Sequence, residues 1–260
     1  MATFTVNRIA VEVSGEGDQV VCIHGLGGSS NVWSPILDAF QGLRVVRPDL
    51  PGSGSSALPA EALSIDVYVK AIETVVSHLG IQKTHIVAHS MGTIVAMHLA
   101  VRRPELVRSL ALFGPLVAPP EPARPNIKAR AAKAREGLQA MHEIADILVG
   151  GAISKKSRVE NRLGAALVRE SVMHQSPEAY AQSCEALAGA QSAEIENIGA
   201  PTLLITGDED GVAPVANVEK IATRIKGSQM KVYASCGHWQ TFEYPELCEA
   251  DLRTFYASVA

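Results

Sequence analysis

The stretch Ile86-Val87-Ala88-His89-Ser90-Met91-Gly92-Thr93-Ile94-Val95 constrains this chain more than any other. An apolar run ends at a serine set among small residues, and apolar residues then resume at helical spacing. That pattern predicts a strand, a very tight turn and a helix, with the Ser90 hydroxyl projecting clear of a sheet from a strained backbone conformation. Small neighbours are needed because the incoming strand and the outgoing helix nearly touch. The general pattern is G-x-S-x-G, and Ala88 stands at its first position, a departure of one methyl group. Ser90 is the candidate nucleophile, but a hydroxyl needs a base and an orienting carboxylate before it can act as one.

Strand-like and helix-like runs alternate on both sides of this turn. A hairpin is expected over Thr3–Val6 and Arg8–Val13, then a buried strand at Gln19–Ile23 that ends in the glycine-rich His24-Gly25-Leu26-Gly27-Gly28. A helix near Trp33–Phe40 and a strand at Leu43–Arg47 lead into Pro48-Asp49-Leu50-Pro51-Gly52-Ser53-Gly54-Ser55, a segment dense in turn formers. Further helices are predicted from Ser64 to Leu79 and from Thr93 to Arg102, with a strand at Val107–Phe113. From Pro115 the character changes: Pro119, Pro120, Pro122 and Pro125 mark a linker, and from there to about Glu194 the pattern is helical throughout. One helical face is expected to carry Ile127, Ala131, Ala134, Leu138 and Met141, with further helices over Ser157–Met173 and Ser176–Ala190. Strands then return at Pro201–Thr206 and Met230–Ala234, with helices at Val215–Ile225 and Pro245–Tyr256. Alternating strands and helices call for an α/β fold with a mostly parallel sheet covered on both faces. Residues 1–118 and 195–260 would form its core, and 119–194 an inserted helical cap.

At 260 residues and 47% hydrophobic content, such a core can be built without covalent staples. The net charge of −4, without a long single-sign block, offers nothing to a nucleic acid or a polybasic membrane contact. A small-molecule partner is expected instead. The segment Met1–Arg8 lacks a basic region followed by an apolar one, and no apolar run reaches membrane-spanning length, so a cytoplasmic location is expected. Cys22, Cys184, Cys236 and Cys248 lie far apart with no C-x-x-C pair, which points to reduced thiols and no metal site.

In an open α/β sheet, reactive groups gather on loops at the carboxyl ends of the strands. Two later loops qualify: Gly207-Asp208-Glu209-Asp210-Gly211-Val212-Ala213-Pro214 and Ser235-Cys236-Gly237-His238-Trp239. The order Ser90, Asp210, His238 is the one expected when a tight strand–serine–helix turn precedes its acid and base. Together with His24-Gly25 and the Asp49–Ser55 loop, these motifs make the chain resemble the α/β-hydrolase family over nearly its whole length. The resemblance implies an eight-stranded, mostly parallel sheet with Ser90 as nucleophile, Asp210 as acid and His238 as base. It also implies an oxyanion hole from the backbone N–H groups of Leu26 and Met91, and neither cofactor nor metal. The spacing G-x-x-D-x-x-x-P selects Asp210, leaving Asp208 and Glu209 to hold the turn. Serine in place of aspartate at the nucleophile position points away from the haloalkane dehalogenase and epoxide hydrolase branches.

The expected reaction is hydrolysis of a carboxylic ester or lactone through an acyl-Ser90 intermediate. The segment Ser176-Pro177-Glu178-Ala179-Tyr180-Ala181-Gln182-Ser183-Cys184-Glu185-Ala186-Leu187 is similar to a stretch of the 3-oxoadipate enol-lactonase branch, which adds an enol-lactone to the candidate substrates. Alternatives are a C–C bond hydrolase of vinylogous diketones, a cofactor-free perhydrolase or acyltransferase, and a ligand receptor on the same fold. His89 and Trp239 are candidate substrate contacts, while His24 is expected to shape its loop. The basic run Arg124, Lys128, Arg130, Lys133 and Arg135 reads either as an anion-attracting surface or as a solvated helix face. The oligomeric state stays open.

Overall fold

The computed structural model describes residues 2–259. Strands β1 (Ala2–Val6) and β2 (Ile9–Ser14) form an antiparallel hairpin closed by Asn7 and Arg8, both at positive φ. Next come β3 (Asp18–Ile23), a 3-10 helix over Ser30–Phe40, β4 (Leu43–Pro48), α1 (Ile65–His78) and β5 (Thr84–His89). Helix α2 (Met91–Arg102) and β6 (Val107–Phe113) complete the first half. Helices α3 (Arg124–Ala134), α4 (Leu138–Ala152), α5 (Lys155–Glu160), α6 (Arg162–Met173) and α7 (Pro177–Gly189) follow without an intervening strand. The chain then returns to β7 (Thr202–Gly207), α8 (Val215–Arg224), β8 (Gln229–Tyr233), α9 (Gln240–Glu243) and α10 (Pro245–Val259).

The eight strands form one sheet in the order β1-β2-β4-β3-β5-β6-β7-β8. Only the pairings of β2 with β1 and β4 are antiparallel; β4, β3, β5, β6, β7 and β8 run parallel. Every residue of β5 and β7 is buried, as expected of parallel strands covered on both faces. Helix α2 is likewise buried on nearly all sides, which explains its lack of a polar face. Helix α1 is one-sided, and its Ser64 N-cap accepts a hydrogen bond from the Val67 N–H.

Two helical runs are shorter than the sequence pattern suggests. Gly137, at φ 108°, breaks the run from Ile127 to Met141 into α3 and α4, and Leu138 ends 68% exposed instead of sharing the buried face. Asn161 breaks the run from Ser157 to Met173: its backbone leaves the helix, its side chain caps α6 at the Gly164 N–H, and its amide donates to Phe242 O. The helical layer nevertheless shares an apolar cluster with the sheet. Ala131, Met141, Val168 and Tyr180 pack in one body with Trp33, Phe113 and Trp239.

Candidate active site

Ser90 sits between β5 and α2 at φ 53°, ψ −123°, a conformation disfavoured for any residue with a side chain. Neighbouring interactions hold it there. The Ser90 N–H donates to Phe113 O on β6, and Thr93 Oγ1 donates to Ser90 O while accepting from the Leu116 N–H. Gly92 makes the turn possible, because a Cβ at that position would stand 2.4 Å from Ile23 O and 2.5 Å from His24 O. Ala88, in contrast, is fully buried within the β5 ladder opposite Leu112, so its extra methyl is accommodated.

The loops after β7 and β8 bring Asp210 and His238 to Ser90. His238 Nδ1 donates to Asp210 Oδ2 at 2.9 Å, and the Ser90 hydroxyl donates to His238 Nε2 at 2.8 Å. All three side chains are buried, Ser90 keeping 7% of its surface. Burial works to raise the Asp210 pKa. The adjacent His238, with the Ala213 and Val212 N–H groups that donate to Oδ1, outweighs it and brings the carboxyl down to about 2. Asp210 is therefore an ionised acceptor at neutral pH. Gly114, at φ 54°, lets β6 end directly against the imidazole: a Cβ there would stand 2.7 Å from His238 Cε1.

Asp208 and Glu209 hold surrounding backbone instead. Asp208 Oδ1 accepts from Cys236 N–H and Glu209 Oε2 from Lys155 N–H. His24 bridges two loops: Nε2 accepts from the Leu50 N–H, so Nδ1 carries the proton and donates to Gly25 O. Burial keeps this imidazole below its ordinary pKa. Asp49 orders its own loop, accepting from Ser30 N–H and Ser55 N–H. Above the serine, the Leu26 N–H donates to no carbonyl among the described residues. Met91 opens α2, so its N–H has no helical partner.

His89 and Trp239 lie behind the imidazole, 1% and 3% exposed. His89 Nε2 donates to His238 O at 2.8 Å, and its ring lies between those of His238 and Trp239 at centroid separations of 4.9 and 5.0 Å. Burial first, and then the neighbouring His238, push the His89 pKa down to about 3, so it stays neutral. Two further residues escape a reading of motifs. Gln240 Nε2 donates to Asp210 Oδ2 and Gly237 O. The buried Glu243 accepts from the N–H groups of Gly237, Trp239 and, across in the helical layer, Ser154. The available signal was the spacing of Glu243, one helical turn beyond the His238 loop. Among the described residues no His, Cys, Asp and Glu side chains converge as a metal-binding group.

Beside the triad of contacts lies a cleft of about 630 Å³ between the helical layer and the sheet edge. Leu116, Ile127, Ile144, Leu148, Leu187 and Val212 give it a largely apolar wall. It abuts the site through the loops that carry Gly114 and Asp210, while Ser90, His89 and Trp239 are not part of its wall.

Known proteins agree with this architecture. A 2-hydroxymuconate semialdehyde hydrolase of Pseudomonas putida is 30% identical over 253 residues, spanning 92% of this chain and 87% of the relative. A thermophilic esterase of Thermogutta terrifontis superposes with a TM-score of 0.91 at 23% identity, over 99% of this chain and 98% of the esterase. An enol-lactonase of Burkholderia xenovorans gives 0.90 at 24% identity, over 98% of this chain and all of the lactonase. Residues 18–245 match the family described as the alpha/beta hydrolase fold. From the mostly parallel eight-stranded sheet, the serine turn between β5 and α2, and this match, the chain belongs to the alpha/beta hydrolase fold family.

Proposed function

We propose that the protein is a serine hydrolase of carboxylic esters or lactones, acting through an acyl-Ser90 intermediate. The observation that carries this reading is the unbroken hydrogen-bond chain from Asp210 through His238 to the Ser90 hydroxyl. Ser90 Oγ attacks the ester carbonyl as His238 Nε2 takes its proton, while Asp210 holds Nδ1 and stabilises the imidazolium. The carbonyl oxygen becomes an oxyanion and accepts from the Leu26 and Met91 N–H groups. Collapse expels the alkoxide, which takes the proton from His238. Water then attacks the acyl-serine in the same sense, giving the acid and restoring Ser90. In a lactone the alkoxide stays tethered to the acyl group, and the product is one hydroxy or keto acid.

Residues 119–194 act in this reading as a cap that sets specificity, because α3, α4 and α7 supply much of the cleft wall. A second reading has one observation in its favour: the Pseudomonas putida relative is named 2-hydroxymuconate semialdehyde hydrolase. Hydrolytic C–C cleavage would use the same three residues, and a panel of esters, lactones and vinylogous diketones ranked by kcat/KM separates the two. The mechanism itself is tested by a fluorophosphonate and peptide mass analysis. Label on Ser90, with labelling and turnover both lost in Ser90→Ala, is expected. Hydrolysis near the wild-type rate in Ser90→Ala would overturn it.

A further inference from the structure

The structure separates five basic residues of the helical layer that look alike in sequence. Arg124 pairs with Glu121 and donates to Ala188 O and Ala190 O. Arg135 pairs with Glu178 and Glu185, and Lys133 with Glu136 and Glu143. Lys128 lies on the exposed side of α3. Arg130 shares the inward side of α3 with Ile127, Ala131 and Ala134, and unlike Arg124, Lys133 and Arg135 it has no carboxylate partner among the described residues.

Arg130 forms part of the wall of the apolar cleft that abuts the loops carrying Gly114 and Asp210. The only other charged group in that wall, Lys133, is neutralised by its two glutamates, and no carboxylate lines the cleft. The Arg130 Nε is buried without a hydrogen-bond partner, as is the Tyr180 hydroxyl. Tyr180 and Cys184, four residues apart on α7, are the polar side chains that act on Arg130. Both are kept protonated by burial and offer no negative charge. The Tyr180 ring also packs on the loop that carries the Leu26 N–H: a Cβ at Gly27 would stand 3.3 Å from Tyr180 Cε2. Arg130 is half-buried, and a partly desolvated guanidinium with no anion beside it carries a cost in the free protein that a ligand anion would reduce.

We propose that Arg130 anchors a substrate carboxylate, so that the cleft takes an ester or lactone with an apolar body and one free carboxylate group. This rests on the serine hydrolase reading of Ser90. The planar guanidinium suits a planar carboxylate through paired N–H donors, and one uncompensated cation suits one anionic group.

The test compares the mono-4-nitrophenyl ester of glutaric acid with the same compound capped as its methyl ester, each followed by 4-nitrophenol release. The acid-over-capped ratio of kcat/KM is expected to fall about 10- to 100-fold in Arg130→Gln, the range of a charged hydrogen-bonded contact. Arg130→Lys should recover part of the ratio, and Lys128→Gln should leave it in place. Equal losses on both esters, or a ratio indifferent to Arg130, would overturn the proposal. A second measurement needs no turnover: calorimetric binding of glutarate to Ser90→Ala should weaken when Arg130→Gln is added. Binding that is indifferent to Arg130 overturns the anchor. Arg130-dependent glutarate binding in a protein with no Ser90-dependent hydrolysis would leave the anchor standing and overturn the hydrolase reading alone.

Discussion

The loops at the carboxyl edge of the sheet and the helical layer packed on them are held together in opposite ways. At the sheet edge several buried polar side chains are fixed by backbone: Asp210 by the Val212 and Ala213 amides, His24 by Leu50 and Gly25, His89 by the His238 carbonyl. The helical layer carries partly exposed ion pairs such as Arg135 with Glu178 and Glu185 and Arg169 with Asp146, and its inward-facing Arg130 has no carboxylate partner among the described residues. A preorganised edge suits chemistry that must be repeated in one geometry. A layer that lines the cleft with a cation free of a carboxylate partner suits the choice of ligand. Under the proposed function, the first region would set rate and the second selectivity.

The largest expected effect lies at the sheet edge. Asp210→Asn keeps the shape but presents the imidazole with the wrong donor pattern, so kcat should fall by about 10⁴-fold. Asp208→Asn retains an oxygen for the Cys236 amide and should stay within a few-fold of wild type. Steady-state kinetics on one ester checks both, and the reverse ranking would break the assignment of Asp210.

Next comes the residue that joins the two regions. Glu243→Gln replaces one acceptor oxygen by a donor facing backbone N–H groups from the His238 loop and from Ser154. A cost of about 1–3 kcal/mol in stability is expected, with kcat falling more than KM rises. Chemical denaturation and kinetics measure the two. A loss confined to KM would place Glu243 with the helical layer alone.

Acid should act on the sheet edge at a comparable scale. The Asp210 pKa is lowered from an unfolded value near 3.8 to about 2, so its stabilisation is fully present above about pH 4. It is lost as pH falls from there towards 2, because the unfolded chain then binds the proton first. The contribution is about 2 kcal/mol. The stability difference between wild type and Asp210→Ala should therefore shrink across pH 4 to 2, measured by urea unfolding at each pH.

The smallest effect belongs to the surface of the helical layer. Arg135→Ala breaks two ion pairs of a side chain that is 38% exposed, and solvent screening should hold the loss below about 1 kcal/mol. A thermal midpoint shifted by more than a few degrees would show the layer to be more tightly pinned than its ion pairs indicate.

Legibility in sequence follows the same division. The parallel strands and the Ser90 turn are readable because burial on both faces demands continuous apolar runs, and the Gly92 contact demands a small residue. Asp210 is readable because its two amide donors lie at Val212 and Ala213, just before the Pro214 that fixes the spacing. The helical layer is less so. Apolar spacing continues across Gly137 and Asn161, and only a positive φ at one and a side-chain cap at the other turn the chain. Periodicity likewise could not tell which cation faces inward, since Arg130 and Arg135 differ by the direction of their neighbours and not by their own chemistry. Glu243 and Gln240 stayed hidden because a carboxylate or amide that binds backbone leaves no pairing pattern.

The division of labour is tested most directly by measuring two quantities in one set of proteins: the second-order rate of Ser90 modification by a small fluorophosphonate, and the kcat/KM ratio between two esters of different acyl group. Asp210→Asn should slow modification and both esters together, leaving the ratio within about two-fold of wild type. Ile144→Ala, in the cleft wall contributed by α4, should move the ratio by more than that while modification stays within a few-fold. A ratio that changes in Asp210→Asn while Ile144→Ala slows modification and both esters in step would contradict the division.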